Sequence, residues 1–173
     1  ENQKAFGKLA ISRLTSIKVP NTRSRQQAQI QHHYDLGNDF YKLWLDRSMT
    51  YSCAYFRNAD DTLEVAQDQK RQHLLHKLQL EPGMTLLDIG SGWGELLFAA
   101  VKQYGVTGMG VTLSAEQYRH CVEKAKKLGV ADKIKFELLN YQDLAERAGL
   151  QFDRVISVGM FEHVGRRNQG QYF

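Results

Sequence analysis

Cysteine is scarce in this sequence, and long apolar runs are absent. Cys53 and Cys121 are its two cysteines, too few for a disulfide framework, and their spacing fits no metal site. No stretch approaches the roughly 18 consecutive apolar residues of a membrane-spanning helix, and no signal peptide is recognisable. Internal repeats and low-complexity segments are also missing. These absences favour one globular domain in a reducing cytoplasm, without a metal centre.

Charge distinguishes the first part of the chain from the rest. Of the formal net charge of +4, residues 1–30 carry +5 and residues 31–173 carry −1. We therefore predict a basic arm or linker over residues 1–30, followed by the folded domain. Within the arm, Phe6, Leu9 and Leu14 recur near helical spacing, which indicates a short basic amphipathic helix. Such a helix suits an anionic membrane surface, although a nucleic acid partner or a solvated leader would equally explain the charge.

The most informative stretch is an apolar strand that runs into glycines at alternate positions, Leu86–Gly94. Gly90, Gly92 and Gly94 precede a helical pattern, so we expect a strand, a tight turn and a helix. The spacing differs from the G-x-G-x-x-G of dinucleotide sites and from the phosphate-binding P-loop. It suits S-adenosylmethionine (AdoMet), which carries no phosphate, and Asp88 can steady the loop or face the amino group of this ligand. A glycine-rich turn in another α/β domain is the alternative.

Apolar runs and helical patterns alternate along the rest of the chain. Four strands and the helices between them give the order βαβαβαβ, which predicts a parallel, doubly wound sheet of the α/β class. Sheets average about five or six strands, so we expect a fold that is truncated after its fourth strand. The predicted strands are the stretch through Leu86, 106–111, 134–139 and 152–158. The predicted helices are 62–80, capped by Asp60 or Asp61; Leu96 to Tyr104; the cap Ser114 to Leu128; 143–148; and, upstream, the cap Asn38 or Asp39 to Leu45.

Three further motifs stand around the glycine loop: His33–Tyr41, Tyr51–Phe56 and Ser157–Gly165. Together with the loop Asp88–Gly94, they closely resemble the cyclopropane-fatty-acyl-phospholipid synthases and their relatives, the mycolic acid cyclopropane synthases. The resemblance covers roughly residues 30–173. It implies the class I fold of AdoMet-dependent methyltransferases, which is Rossmann-like, with residues 31–173 as the N-terminal part of the catalytic domain.

The resemblance also implies a reaction. The methyl group of AdoMet is transferred to the cis double bond of an unsaturated acyl chain in a membrane phospholipid. A bound bicarbonate then takes a proton from the new methyl group, and a cyclopropane ring closes. Because an alkene is a poor nucleophile, this chemistry depends on close positioning and a dry site. We expect a cytoplasmic enzyme in peripheral contact with the inner face of the membrane, with a homodimer as a possible assembly.

Matching positions in the motifs supply the expected site residues. Beside Asp88, the expected cofactor-binding residues are Tyr51, Ser52, Gly90, Gly92, Thr112, Gln117, Tyr141 and Gln142. Thr112 follows the second strand, where most methyltransferases carry an acid for the ribose hydroxyls. Cys53, Gly159 and Glu162 match part of the bicarbonate site and are the expected catalytic residues. Cys53 would line that pocket, and Glu162 would orient a hydrogen-bonded partner in it.

Several alternatives share these signatures. Amine N-methyltransferases of the plant-alkaloid kind have the same Tyr-Ser-Cys and Phe-Glu-His motifs, but Gly159 leaves space for an anion that such enzymes do not need. Relatives that produce a methyl branch, not a ring, have the same pattern. A non-catalytic piece that binds AdoMet or lipid is a third hypothesis. A nucleic acid methyltransferase is disfavoured, because the arm is short and no Asn-Pro-Pro-Tyr motif follows the fourth strand. Trp93 either covers the cofactor or packs the loop.

Overall fold

The four strands of the computed structural model form one parallel sheet in an α/β arrangement. The structure describes residues 37–147, 149–166 and 168–172. The predicted basic arm, its amphipathic helix and the first residues of the His33–Tyr41 motif lie outside the described residues. The strands are β1 (Thr85–Ile89), β2 (Thr107–Thr112), β3 (Ile134–Leu138) and β4 (Arg154–Ile156).

The order of strands in the sheet is β3-β2-β1-β4, and all three pairings are parallel. The chain moves outward from β1 to β3 and then returns to the other side of β1. In this register Asp88 of β1 lies opposite Gly110 of β2 and Ile156 of β4. The predicted parallel, doubly wound sheet is confirmed, and the reversal of strand order lies between β1 and β4.

Seven helices are present among the described residues, and they connect or flank the strands. They are α1 (Gly37–Lys42), α2 (Leu63–Leu78), α3 (Glu95–Tyr104), α4 (Ala115–Lys127), α5 (Tyr141–Ala145), α6 (Phe161–Val164) and α7 (Gln169–Tyr172). The predicted cap of α4 is confirmed, since the side chain of Ser114 accepts a hydrogen bond from the backbone N–H of Gln117. Such a bond satisfies one of the unpaired donors at a helix N-terminus.

The predicted cap of α2 is wrong. Thr62, not Asp60 or Asp61, is the N-cap, and its hydroxyl oxygen accepts the backbone N–H of Val65. The carboxylate of Asp61 instead closes the preceding turn by accepting the backbone N–H of Arg57 and Asn58. Any of these three polar residues can cap a helix, and the turn before α2 decides which one does. The helix also ends at Leu78, two residues before the predicted end.

The helix predicted from Asn38 or Asp39 to Leu45 is wrong in its cap and its end. Both residues lie inside α1, which begins at Gly37 and ends at Lys42. The side chain of Asn38 accepts a hydrogen bond from the indole N–H of Trp93 at 2.7 Å, so it serves a long-range contact and not the helix end.

The boundaries of two later elements also differ from the prediction. Helix α5 begins at Tyr141, two residues before the predicted start, because the side chain of Asn140 caps it by accepting the backbone N–H of Gln142. Strand β4 spans three residues, where seven were predicted, since only Arg154–Ile156 pairs with β1.

The main core lies between one face of the sheet and helices α2, α3 and α4. It contains Leu75, Leu97, Val101 and Phe136, each buried. Gly110 of β2 makes this packing possible, because a Cβ atom there would lie 2.8 Å from the ring of Phe136. A smaller cluster covers the opposite face: Leu87, Met109, Val111 and Leu144. The sheet is therefore covered on both faces, as a parallel sheet requires.

Candidate active site

A cavity lies at the carboxyl ends of β1 and β4, where the strand order reverses. In open α/β sheets, ligands bind at this switch point. The hydroxyl of Ser157 donates a hydrogen bond to the backbone oxygen of Ile89 at 3.0 Å and so joins the ends of the two strands. The segments that follow them, Gly90–Trp93 and Val158–Met160, both line the cavity.

Two of the glycines in the loop after β1, Gly92 and Gly94, have different roles. Gly90, Gly92 and Gly94 all have positive φ, at 79°, 56° and 82°. A Cβ atom on Gly92 would meet nothing within 4 Å, so the loop presents bare backbone to a ligand there. A Cβ atom on Gly94 would lie 2.8 Å from the ring of Phe136, so this glycine allows close packing of the loop and α3 on the sheet.

Asp88 is a buried acidic group in the wall of the cavity behind this loop. Its side chain is buried, and burial raises its pKa to about 7. A carboxylate in such a place is stabilised when a cation is brought next to it. Asp88 is therefore suited to a ligand that carries a positively charged group.

Thr112 and Gln117 form a connected pair at the end of β2. The hydroxyl of Thr112 donates to the side-chain oxygen of Gln117 at 2.7 Å and accepts the backbone N–H of Ser114 at 3.1 Å. Both side chains are buried and line the cavity. The bond fixes the amide of Gln117 with its oxygen toward Thr112, so its NH2 group points away from Thr112. The two residues predicted to meet the ribose and amino acid parts of AdoMet are thus held together.

The segment Thr50–Ser52 is attached to α2 by two side chains. The amide NH2 of Gln67 donates to the backbone oxygens of Thr50 at 3.2 Å and Ser52 at 2.9 Å. The ammonium of Lys70 donates to the hydroxyl of Ser52 at 2.6 Å and to its backbone oxygen at 3.3 Å. Sequence reasoning missed both residues of α2. The available signal was the helical spacing of Lys70, four residues after Ala66 and four before Leu74, on the apolar side of the predicted helix.

Gly159 faces Ser52 across the cavity wall. It has φ of 67°, and a Cβ atom on it would lie 3.1 Å from the Cβ atom of Ser52. Tyr51, Ser52, Gly159 and Tyr141 all line the same cavity as the glycine loop. The cavity therefore combines residues of the glycine loop with residues of the motifs Tyr51–Phe56 and Ser157–Gly165, which are far apart in the sequence.

The sequence profile of the family described as mycolic acid cyclopropane synthetase matches residues 21–173. The chain belongs to this family. It is 45% identical over 163 residues to the cyclopropane-fatty-acyl-phospholipid synthase of Escherichia coli (strain K12), covering 93% of this chain and 40% of that relative. It is 48% identical over 143 residues to a probable fatty acid methyltransferase of Pseudomonas putida, covering 83% of this chain and 36% of that relative.

Solved structures of this family show the same fold. A crystal structure of a mycolic acid cyclopropane synthase complexed with SAH and CTAB aligns with a TM-score of 0.77 at 40% sequence identity. The alignment covers 84% of this chain and 50% of that one. The predicted fold of AdoMet-dependent methyltransferases is thereby confirmed. The chain spans half or less of the length of these three proteins.

Three residues predicted for the site are not among those that line the cavity. Cys53, next to Ser52, and Glu162, on α6, have exposed side chains. Gln142 is half-buried beside Tyr141, and its side-chain oxygen is buried without a hydrogen-bond partner among the described residues. The roles that the family resemblance gives these residues remain predictions.

Trp93 packs the glycine loop against α1. Its side chain is buried with Tyr41 and Met49, and the rings of Trp93 and Tyr41 lie 5.2 Å apart. It also contributes to the cavity wall. Of the two roles left open for Trp93, packing of the loop is therefore confirmed, and contact with a cofactor stays a prediction.

Two kinds of feature are absent from the part of the chain that the structure describes. There, no three His, Cys, Asp or Glu side chains are grouped so that they could hold a metal ion. Within the same residues, no helix has the length and apolar character needed to cross a membrane.

Proposed function

We propose that this protein transfers the methyl group of AdoMet to the cis double bond of an unsaturated phospholipid acyl chain and closes a cyclopropane ring, with bicarbonate as proton acceptor. The observation that carries the proposal is the meeting of the glycine loop, Tyr51–Ser52 and Gly159 in one switch-point cavity of a chain that belongs to this family. The relative from Escherichia coli, named for this activity, supports the phospholipid as substrate class.

The cavity fits AdoMet group by group. AdoMet supplies a methyl group on a positively charged sulphur, together with an α-ammonium, an α-carboxylate, a ribose and an adenine. The open backbone at Gly92 and the buried acid Asp88 suit the amino acid end. We assign the ribose and amino acid parts to Thr112 and Gln117, and the adenine to Tyr141 and to its neighbour Gln142, which does not line the cavity in this structure.

Aromatic side chains suit the chemistry expected at the double bond. Positive charge develops on the acyl chain during methyl transfer, and an aromatic face stabilises it without offering a nucleophile. Tyr51 lines the cavity, and its ring lies 5.5 Å from that of Tyr41 and 5.3 Å from that of Trp44. We infer that Tyr51 faces the reacting carbons and that its aromatic neighbours hold it there.

The proton acceptor would be a bicarbonate bound near Gly159. Gly159 has no side chain to crowd Ser52, since a Cβ atom there would lie 3.1 Å from the Cβ atom of Ser52, and we assign Cys53 and Glu162 to the same bicarbonate site. Both of these side chains are exposed, so the proposal requires them to be covered when substrate is bound. Peripheral contact with a membrane surface would bring the acyl chain to this opening.

The test uses the purified full-length protein, AdoMet with a deuterated methyl group and vesicles of monounsaturated phospholipid. We expect fatty esters that gain one labelled CH2 and lose the alkene, as read by mass spectrometry, and we expect this product to depend on added bicarbonate. Vesicles of the matching saturated phospholipid are the control and should take up no label. A labelled methyl branch without a ring would replace the proposal with a branching activity.

Transfer of the label to an amine, with none in lipid, would establish an amine N-methyltransferase instead. The comparisons do not favour this alternative, because relatives at 45–48% identity are named for fatty acyl substrates. Binding of AdoMet without transfer of the label to any acceptor would support the remaining hypothesis, a non-catalytic protein that binds AdoMet or lipid.

A further inference from the structure

The lysine that holds the Ser52 segment is unusual among the charged groups of the cavity. Lys70 is partly buried, and burial lowers its pKa to about 8. Among the ion pairs of the described residues, none contains Lys70, whereas the neighbouring Arg71 is paired with Asp68. A cation that has lost much of its water without gaining an anion is poised to bind one.

The acid with the largest electrostatic effect on Lys70 already accepts hydrogen bonds from other groups. Asp46 exerts an electrostatic attraction on Lys70. Its carboxylate accepts the backbone N–H of Ser48 at 2.9 Å and of Thr50 at 2.8 Å, and it also accepts the hydroxyl of Ser48. These bonds hold the turn before Tyr51 and leave the ammonium of Lys70 directed at Ser52.

The contact between Lys70 and Ser52 sets the direction of the serine hydroxyl. An ammonium group only donates hydrogen bonds, so the 2.6 Å contact makes the Ser52 oxygen an acceptor. The O–H of Ser52 can then donate a hydrogen bond to a third group. Lys70 and Ser52 both line the cavity and present hydrogen-bond donors to it. Because one of these donors is positively charged, the pair favours a ligand group that accepts hydrogen bonds and carries negative charge.

We propose that Lys70 and the hydroxyl of Ser52 form the subsite for the carboxylate of the methionine moiety of AdoMet. This inference rests on the proposed use of AdoMet and adds a cofactor-binding residue to it. The cavity wall contains the buried acid Asp88 and the partly buried base Lys70, and the amino acid end of AdoMet carries the two complementary charges. Two other charged residues of the wall are already paired, Arg71 with Asp68 and Glu95 with Lys124. A charge-assisted hydrogen bond of this kind is among the stronger ones in proteins.

The test compares two ligands that differ only in this carboxylate. Isothermal titration calorimetry of the full-length protein, in buffer free of bicarbonate, measures the affinities of AdoMet and decarboxylated AdoMet. We expect the wild type to bind AdoMet about 10- to 100-fold more tightly than the decarboxylated ligand. In Lys70→Met this preference should shrink by about 10-fold or more, through weaker binding of AdoMet alone.

Two further variants complete the design. Lys77→Met removes an exposed lysine from the same helix and should keep the wild-type preference. Lys70→Arg keeps the charge and should retain more of the preference than Lys70→Met. A loss of affinity that is equal for the two ligands would show that Lys70 only holds the fold of the cavity, and would overturn the proposal.

Free bicarbonate is the other source of a carboxylate-like anion. If Lys70→Met bound AdoMet as the wild type does and only its bicarbonate requirement for product formation rose, the anion at Lys70 would be bicarbonate and the proposal would be overturned. A wild type that bound no AdoMet would refute the proposed function itself, a result distinct from either outcome for Lys70.

Discussion

At the scale of single residues, Asp88 is a carboxyl whose surroundings oppose its ionisation. Burial raises its pKa from 3.8 to about 7. Between these pH values the folded protein holds a proton that the unfolded chain has released. The contribution of Asp88 to the free energy of unfolding is therefore largest below about pH 4. It declines as the pH rises to about 7, by at most about 1.4 kcal/mol per pH unit.

We expect Asp88→Asn to remove this decline, because the amide does not titrate. Urea unfolding between about pH 5 and pH 8 measures how the free energy of unfolding of the wild type and of the variant depends on pH. The wild type should lose stability relative to Asp88→Asn as the pH rises to neutrality. Parallel curves for the two proteins would show that Asp88 is ionised in the fold at every pH tested.

Residues differ in how far the sequence alone could predict their place in the site. Gly90, Gly92 and Asp88 stand within one short stretch, so the local spacing was enough to bring them to the end of β1. Lys70 and Ser52 are 18 positions apart, and their contact depends on how α2 packs beside the loop. A lysine within an amphipathic helix is usually a solvated residue, and only the tertiary structure shows that this one is turned toward the cavity.

At the scale of elements, the position of α3 on the sheet depends on Gly94. A Cβ atom there would lie 2.8 Å from the ring of Phe136 and 3.0 Å from that of Phe98, with φ at 82°. We expect Gly94→Ala to lower the free energy of unfolding by about 2–5 kcal/mol, the sum of overpacking and a left-handed backbone. Urea unfolding of the variant measures the loss.

Gly129 provides the matched control for this prediction. It follows α4 and has φ of 68°, and a Cβ atom on it would meet nothing within 4 Å. Gly129→Ala should therefore cost only the backbone contribution, about 1–2 kcal/mol. If the two variants lost the same stability, the contact with the aromatic rings would not be what requires glycine at position 94.

The elements themselves could be predicted better than their ends. The periodicity of apolar residues is a property of a whole helix or strand, and it identified all four strands and their order along the chain. A helix end depends on which of several adjacent polar residues reaches a backbone N–H. At α2 the predicted caps were Asp60 and Asp61, but Asp61 is engaged in the turn before the helix and the next residue, Thr62, is the cap. That competition is settled by three-dimensional geometry, which explains why the cap was assigned to the wrong residue.

At the scale of the whole molecule, charge separates the chain into two parts with different expected partners. Residues 1–30 carry a net charge of +5 and the remainder carries −1. An anionic membrane attracts each basic residue near its surface by about 1 kcal/mol, and this attraction weakens as salt shortens the Debye length. If the protein modifies phospholipid acyl chains, a basic arm would hold the cavity near its substrate without contributing to the chemistry.

We therefore expect deletion of residues 1–20, which contain Lys4, Lys8, Arg13 and Lys18, to weaken binding to anionic vesicles about 10-fold or more at low ionic strength. Co-sedimentation with anionic and with neutral vesicles measures the partition of the full-length and shortened proteins. The difference between them should vanish on neutral vesicles and at high salt, because it is electrostatic. Unchanged binding of the shortened protein to anionic vesicles at low salt would assign membrane contact to the folded domain. In that case the exposed aromatic rings of Phe40 and Trp44 would be the next residues to substitute, since aromatic side chains favour the membrane interface.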